Sequence, residues 1–189
     1  MVNLRKITKK DKDFRAVKEI FLSAFPRNER PPHLFMYLRS KKPGNDYLAL
    51  CDGDSLVGMS YVICSESVAY IFFLAIAEEC RGKGYGTAAL DALIKEYGDG
   101  RKVVLAIEEI DERADNYPER IRRLKFYEGN GFSMSGYKLR EVTMVYDLLE
   151  YTQGADTAPK ITPDAYAEIP KIFLGKFLAK IFKMEIFKR

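Results

Sequence analysis

The sequence predicts a mixed α/β domain: a single twisted, mostly antiparallel sheet with helices on both faces and one βαβ crossover. Three observations predict it. The tract "SVAYIFFLAIA" (residues 67–77) carries branched and aromatic residues almost without a break, as a strand covered on both sides does. A glycine-rich corner then leads into the helical period of "TAALDALIKEYG" (87–98), and "KVVLAIEEI" (102–110) resumes the strand pattern beyond it. Strand, helix and strand in that order make one crossover, and the hairpin patterns around it supply the antiparallel remainder.

Each element has its own signal. In "KDFRAVKEIFLSAF" (12–25), Phe14, Val17, Ile20, Phe21 and Phe25 recur at three-to-four spacing, the apolar stripe of an amphipathic helix, and "PRNERPP" ends it. "PHLFMYLRS" (32–40) is a second short helix, stopped by "KKPGN". "DYLALCDGDSLVGMSYVICS" (46–65) alternates well enough for two strands, with Asp52-Gly53 as the tight turn between them. Within the crossover helix, Ala89, Leu93 and Tyr97 repeat every four residues, and Gly98 and Gly100 stop it. "PERIRRLKFYEGNGF" (118–132) is a helix opened by Pro118 and closed near Gly129 to Gly131; "LREVTMVYDLL" (139–149) is a last strand. Residues 1–150 form the domain on this reading. Residues 151–189 are an extension, because Gly154, Pro159 and Pro163 interrupt both periods before a helical pattern resumes.

A chain of 189 residues that is 47% apolar can fill one core. The three cysteines Cys51, Cys64 and Cys80 show neither a disulfide framework nor metal spacing, and "MVNLRKITKKDKDF" is polar where a secretory signal is apolar, so a reduced, cytoplasmic protein without a metal is expected. The net charge of +4 is concentrated: residues 171–189 hold about +5 and the remainder is near neutral. A nucleic-acid partner is therefore not expected, since phosphate neutralisation needs a basic face.

"CRGKGYGTAAL" (80–90) sets Gly82, Gly84 and Gly86 at alternate positions at the mouth of a helix. A strand that turns into a helix through glycines aims bare amides and the positive end of the helix dipole at one small volume, which suits a phosphate. Arg81 and Lys83 add charge there. The P-loop pattern is absent, and the dinucleotide pattern counted from Gly82 would need a glycine where Thr87 stands, with bulky Tyr85 beside the pyrophosphate.

The stretch instead resembles the acyl-coenzyme A loop of the GNAT N-acetyltransferase family, [RQ]-x-x-G-x-[GA], matched by Arg81, Gly84 and Gly86. "RLKFYEGNGF" is similar to that family's later signature, with Phe126-Tyr127 followed by Gly131-Phe132, and the order of elements agrees over roughly residues 3–147. The resemblance implies acetyl-coenzyme A as cosubstrate, its pyrophosphate on Arg81, Gly82, Lys83, Gly84, Tyr85, Gly86 and Thr87. It also implies a pantetheine arm paired with the backbone of Leu74 and Ile76 where two strands diverge.

The activity implied is transfer of an acetyl group to a primary amine by direct attack in a ternary complex. The amide of Ile76 is the expected oxyanion donor. Tyr127 stands at the family's frequent general-acid position and would protonate the leaving thiolate. At the strand position where some members carry a glutamate this chain has Tyr70, and the related position is Phe72, so the strand base is missing. Glu108 is the first substitute, with Glu109, Glu29 and a water chain as others. Arg120 stands where the family often has an asparagine; with Arg122, Arg123 and Lys125 it reads as a solvated face. His33, the only histidine, reads as a helix-end residue.

The acceptor is either a small-molecule amine or a protein amine. The missing strand carboxylate motivates a second reading, a non-catalytic acyl-coenzyme A sensing module. In the extension, Phe173, Leu174, Phe177, Leu178, Ile181 and Phe182 alternate with lysines, but Pro170 and Gly175 break the stripe that a membrane-lying helix needs. It reads as a helix docked on the domain, or on a second copy in a homodimer.

Overall fold

The computed structural model describes residues 1–27, 29–141, 144–152, 161–181 and 184–188. Among the described residues eight strands form a sheet in the order β1 (Val2–Lys6), β2 (Asn45–Asp52), β3 (Ser55–Cys64), β4 (Val68–Ile76), β5 (Lys102–Glu108), β7 (Met144–Tyr151), β6 (Phe132–Glu141), β8 (Met184–Lys188). The chain divides into two compact units, Met1–Ile63 with Ile71–Tyr97 and Cys64–Tyr70 with Gly98–Arg189.

In the first unit β1 (Val2–Lys6) pairs antiparallel with β2 (Asn45–Asp52), which pairs antiparallel with β3 (Ser55–Cys64). The two-residue loop is Gly53-Asp54, one place later than the sequence suggested, and Gly53 has φ +56°, the left-handed region that glycine enters without a Cβ clash. β4 spans Val68–Ile76. Helix α1 (Phe14–Ala24) buries Val17 and Phe21 from the expected stripe, and Pro26 follows its end. Helix α2 (His33–Arg39) starts at His33, as expected for a residue at a helix end, and buries Met36 and Tyr37. Helix α3 (Tyr85–Tyr97) buries Ala89, Leu90, Leu93 and Tyr97. Fully burying a leucine side chain stabilises by about 1.5–3 kcal/mol.

The edge strand β1 was not among the expected elements. Val2 and Leu4 do alternate with polar residues, but five residues hold too little pattern until Leu4 finds Leu50 across the ladder.

In the second unit β5 (Lys102–Glu108) pairs with β7 (Met144–Tyr151), β7 with β6 (Phe132–Glu141), and β6 with β8 (Met184–Lys188), all antiparallel. Helix α4 (Tyr117–Gly129) carries Pro118 in its first turn, where a missing N–H costs nothing. The expected single strand 139–149 is a correction: it is the end of β6 and the start of β7. Gly136 (φ +80°) lies within the register irregularity between Met134 and Lys138, which blurred the β6 pattern.

The extension holds helices and one strand that was not among the expected elements. Beyond the short helices α5 (Pro163–Tyr166), α6 (Glu168–Leu174) and α7 (Leu178–Ile181), the chain ends in a strand rather than a helix. Gly175 (φ +83°) stops α6, and Ile186 of β8 is buried opposite Leu139 of β6. Gly154, Pro159 and Phe182 of the extension lie outside the described residues.

Candidate functional site

The glycine corner belongs to the first unit. β4 ends at Ile76, a single 3₁₀ turn (Glu78–Cys80) follows, and α3 begins at Tyr85. Gly82 (φ +72°) and Gly84 (φ +81°) hold left-handed conformations, and a Cβ at either would meet no atom within 4 Å. The glycines therefore relieve backbone strain, and the space where their side chains would stand is open. The first backbone bond of α3 runs from Ala88 N to Gly84 O, 3.1 Å, so the amides of Tyr85, Gly86 and Thr87 have no acceptor within the helix.

Side chains turn aside from this corner. Tyr85 donates its hydroxyl to Asp52 at 3.0 Å, and that bond, with the charge of Asp52, raises its pKa. Arg81 Nε donates to the Ile76 carbonyl at 3.3 Å, and Lys83 Nζ to the Glu79 carbonyl at 2.8 Å. Both cations are exposed and keep further donors. The arrangement fits a diphosphate: unpaired amides, two adjacent positive charges, and no Cβ in the way.

Leu74 and Ile76 are half-buried on β4 and pack against the cluster of Val2, Leu50, Val57 and Ala89. Sequence reasoning missed what shapes this strand end. A Cβ on Gly58 of β3 would lie 2.4 Å from the Ala75 carbonyl oxygen, so only glycine lets β3 run this close to Ala75 and Ile76. The signal was available, a lone glycine inside an alternating strand. Glu29 lies in the turn after α1, its amide donating to Pro26 O at 3.1 Å, and Phe72 packs on Phe73 and Tyr61.

The second unit holds the remaining expected residues. Tyr127 on α4 is half-buried, its ring 5.2 Å from Phe126 and 6.0 Å from Phe132. Burial pushes its phenol upward and Arg123 opposes that, so the hydroxyl keeps its proton through the neutral range. Glu108, at the end of β5, has its carboxylate occupied: Arg123 reaches Oε2 at 2.7 Å, Asn116 reaches Oε1 at 2.9 Å, and Arg120 stands 3.5 Å from Oε1. Arg120 also donates to the Glu109 carbonyl at 2.6 Å and to Asn116 at 2.7 Å, a clamp joining α4 to the end of β5 instead of a solvated cation. Glu109 pairs with Lys138. The buried Asp147 accepts from the Ile110 amide at 3.0 Å, holding the chain as it leaves β5.

The strand position that lacks an acid is not without one in space. Tyr70 of β4 is buried, and its hydroxyl donates to Oε1 of Glu141, the last residue of β6, at 3.1 Å. Tyr166 of α5 is 1% exposed, with its ring 5.7 Å from that of Tyr70. Glu141 lies 71 residues from Tyr70 in sequence, and no local pattern could announce the pairing.

Residues 14–132 match the Acetyltransferase (GNAT) family. The chain belongs to this family. An uncharacterized N-acetyltransferase of Methanocaldococcus jannaschii is 37% identical to this GNAT chain over 94 residues, 50% of this chain and 58% of that relative's length. An acetyltransferase of the same family from Bacteroides thetaiotaomicron shares the fold at a TM-score of 0.66 and 19% identity, over 81% of this chain and 88% of its own. Naa50 of Arabidopsis thaliana, solved in complex with the bisubstrate analogue CoA-Ac-MVNAL, aligns at a TM-score of 0.58 and 17% identity, over 80% of this chain and 98% of its own. The family match ends at residue 132, so Glu141 and Tyr166 lie beyond it. Among the described residues no helix is long and apolar enough to cross a membrane, and no cluster of three or more acidic, histidine or cysteine side chains could hold a metal.

Proposed function

We propose that this GNAT protein transfers an acetyl group from acetyl-coenzyme A to a primary amine by direct attack within a ternary complex. The observation that carries the reading is the corner at Arg81–Thr87: glycines at positive φ, open space where side chains would stand, and three helix-terminal amides without helical acceptors. The diphosphate of coenzyme A supplies the charge this corner lacks. Membership of the family supports it, as does the bisubstrate complex of Naa50, in which one molecule presents coenzyme A and a peptide together.

In this reading the main chain of Leu74 and Ile76 pairs with the pantetheine arm, and the Ile76 amide donates to the oxygen that gains charge as the thioester carbonyl is attacked. Tyr127, held protonated by burial, gives its proton to the departing thiolate sulfur. Glu108 serves as the anchor of the Arg120 and Arg123 clamp, because taking a proton there would surrender two guanidinium contacts. The acceptor is a small-molecule or protein amine.

A thermal shift with acetyl-coenzyme A tests the reading. A ligand that binds only the native state adds about 2.7 kcal/mol at a hundredfold excess over its Kd. The full chain is expected to shift at millimolar acetyl-coenzyme A and to release thiol when a suitable amine is added. No shift would remove the reading; a shift with no thiol release on any amine would favour a sensing module.

A further inference from the structure

The second unit contains a carboxyl group in an expensive setting that the reaction so far leaves unused. Glu141 closes β6, and its register partners, Met144 on β7 and Met184 on β8, carry no charge. Its carboxyl oxygen accepts from the Tyr70 hydroxyl, and burial pushes its pKa up to about 7, with the Tyr70 bond pulling the other way. Among the described residues, the titratable groups that face this cluster from the surrounding elements are phenols: Tyr70 on β4, Tyr146 on β7 and Tyr166 on α5. None supplies a positive charge. The phenols of Tyr70 and Tyr166 are themselves raised, first by burial and then by Glu141.

A half-buried carboxylate without a cation costs stability in neutral solution, and an apolar residue at that place would not. What the cluster offers in return is a binding chemistry. A negative oxygen beside aromatic faces attracts an ammonium group twice over, by charge and by the ring quadrupole. Glu141 is also only partly buried, so a ligand can reach it, whereas Tyr70 is 2% exposed and can only hold it in place.

We propose that the Glu141 carboxylate, fixed by the Tyr70 hydroxyl and walled by Tyr146 and Tyr166, binds the ammonium group of the acceptor and takes its proton. The inference rests on the N-acetyltransferase reading and names the amine site within it. The balance is simple. The alkylammonium gives one proton to Glu141 and becomes a neutral amine; its nitrogen lone pair forms the C–N bond at the thioester carbon. As the C–S bond breaks, Tyr127 protonates the sulfur; the second proton leaving the nitrogen passes through water to the Tyr127 oxygen and restores the phenol, and Glu141 returns one proton to water. A free ammonium titrates near 10.4 and an ordinary glutamate near 4.3, so a carboxyl lifted toward neutrality lies closer to the proton it must take. Tyr70 is a positioning residue. The extension acquires a purpose as well: α5 supplies a wall of the amine site, and β8 backs the strand that carries Glu141.

The test uses the full chain with Glu141→Gln and Tyr70→Phe, and three primary amines as probes: spermidine, kanamycin and an alanyl-glycine dipeptide. All three proteins are expected to keep the acetyl-coenzyme A thermal shift. With the amine turned over fastest, Glu141→Gln is expected to lower kcat/KM about 100-fold and to abolish an acid limb near pH 7. Tyr70→Phe removes a donor to the charged carboxylate, so the limb should move to higher pH, an effect that a merely structural residue would not produce. Wild-type kcat/KM and an unmoved acid limb in Glu141→Gln would overturn the assignment alone, whereas a wild type that keeps the thermal shift but acetylates none of the three amines would favour the sensing module and overturn the N-acetyltransferase reading on which the assignment rests. Loss of the shift in the wild type would instead sink the acetyltransferase reading and this site with it.

Discussion

The glycine corner of the first unit and the tyrosine–glutamate cluster of the second are built on opposite terms. At the corner the main chain is what the protein offers: Tyr85, Arg81 and Lys83 fold their side chains onto Asp52, Ile76 and Glu79, and the space where side chains at Gly82 and Gly84 would stand is open. In the cluster the protein offers side chains instead, brought from β4, β6 and α5 and packed with rings. Amides at a helix start are bare because of the helix itself, so a short run of glycines can advertise them. A carboxylate acquires unusual chemistry only from neighbours, and neighbours come from the fold.

The sharpest way to break the comparison is at the corner. Gly84→Val places a β-branched residue at φ +81° and fills the open space; the acetyl-coenzyme A thermal shift should vanish, while circular dichroism still reports a folded chain. A retained shift would mean that the amides there do not hold the ligand. Next in size is Tyr127→Phe, expected to lower kcat about 100-fold with the thermal shift intact, and to remove an alkaline limb that burial sets above pH 10.0. A variant with wild-type kcat would show that the thiolate leaves without this proton.

Gly58→Val should cost about 1–3 kcal/mol in denaturant unfolding and weaken acetyl-coenzyme A binding as well, because the new side chain would collide with the Ala75 carbonyl that sets the end of β4. If stability falls and affinity does not, the strand end plays no part in binding.

The cluster is tested by pH. The unfolded chain's Glu141 ionises near 4.5 and the folded chain's at about 7, so the folded state holds the extra proton between those values. Wild-type stability therefore loses ground as pH rises from about 4.5 to about 7 and levels off beyond. Glutamine does not titrate; Glu141→Gln should equal wild type near pH 4 and exceed it at pH 8 in thermal melts. A smaller effect is expected from Thr162→Ala. Its Oγ1 accepts from the Ala165 amide at 3.2 Å to cap α5, and losing that bond should cost about 1 kcal/mol while loosening Tyr166.

Much of the molecule is legible in the order of its residues. Helices α1, α3 and α4 follow from the spacing of Val17 and Phe21, of Ala89, Leu93 and Tyr97, and from Pro118, because a helix buries a stripe of its own residues whatever lies opposite. The β2–β3 hairpin is visible because Gly53 marks a turn that few other residues can make. Strands β1 and β8 are not visible: each is five residues long and is ordered by a ladder to a partner distant in sequence. The same distance explains Glu141, whose own surroundings in sequence are ordinary, and the occupation of Glu108 by Arg120 and Arg123 one element away.

The sequence by itself determined the class of fold, the crossover and the glycine corner, since backbone conformation at Gly82 and Gly84 and the free amides of a helix start are local consequences of residue type. Only the tertiary structure decided that the extension ends in a strand, that Glu108 is clamped, and that Tyr70 meets Glu141 beside Tyr166. Those are pairings across 71 residues in one case and 15 in another, and pairing energy depends on which surfaces the folded chain brings together.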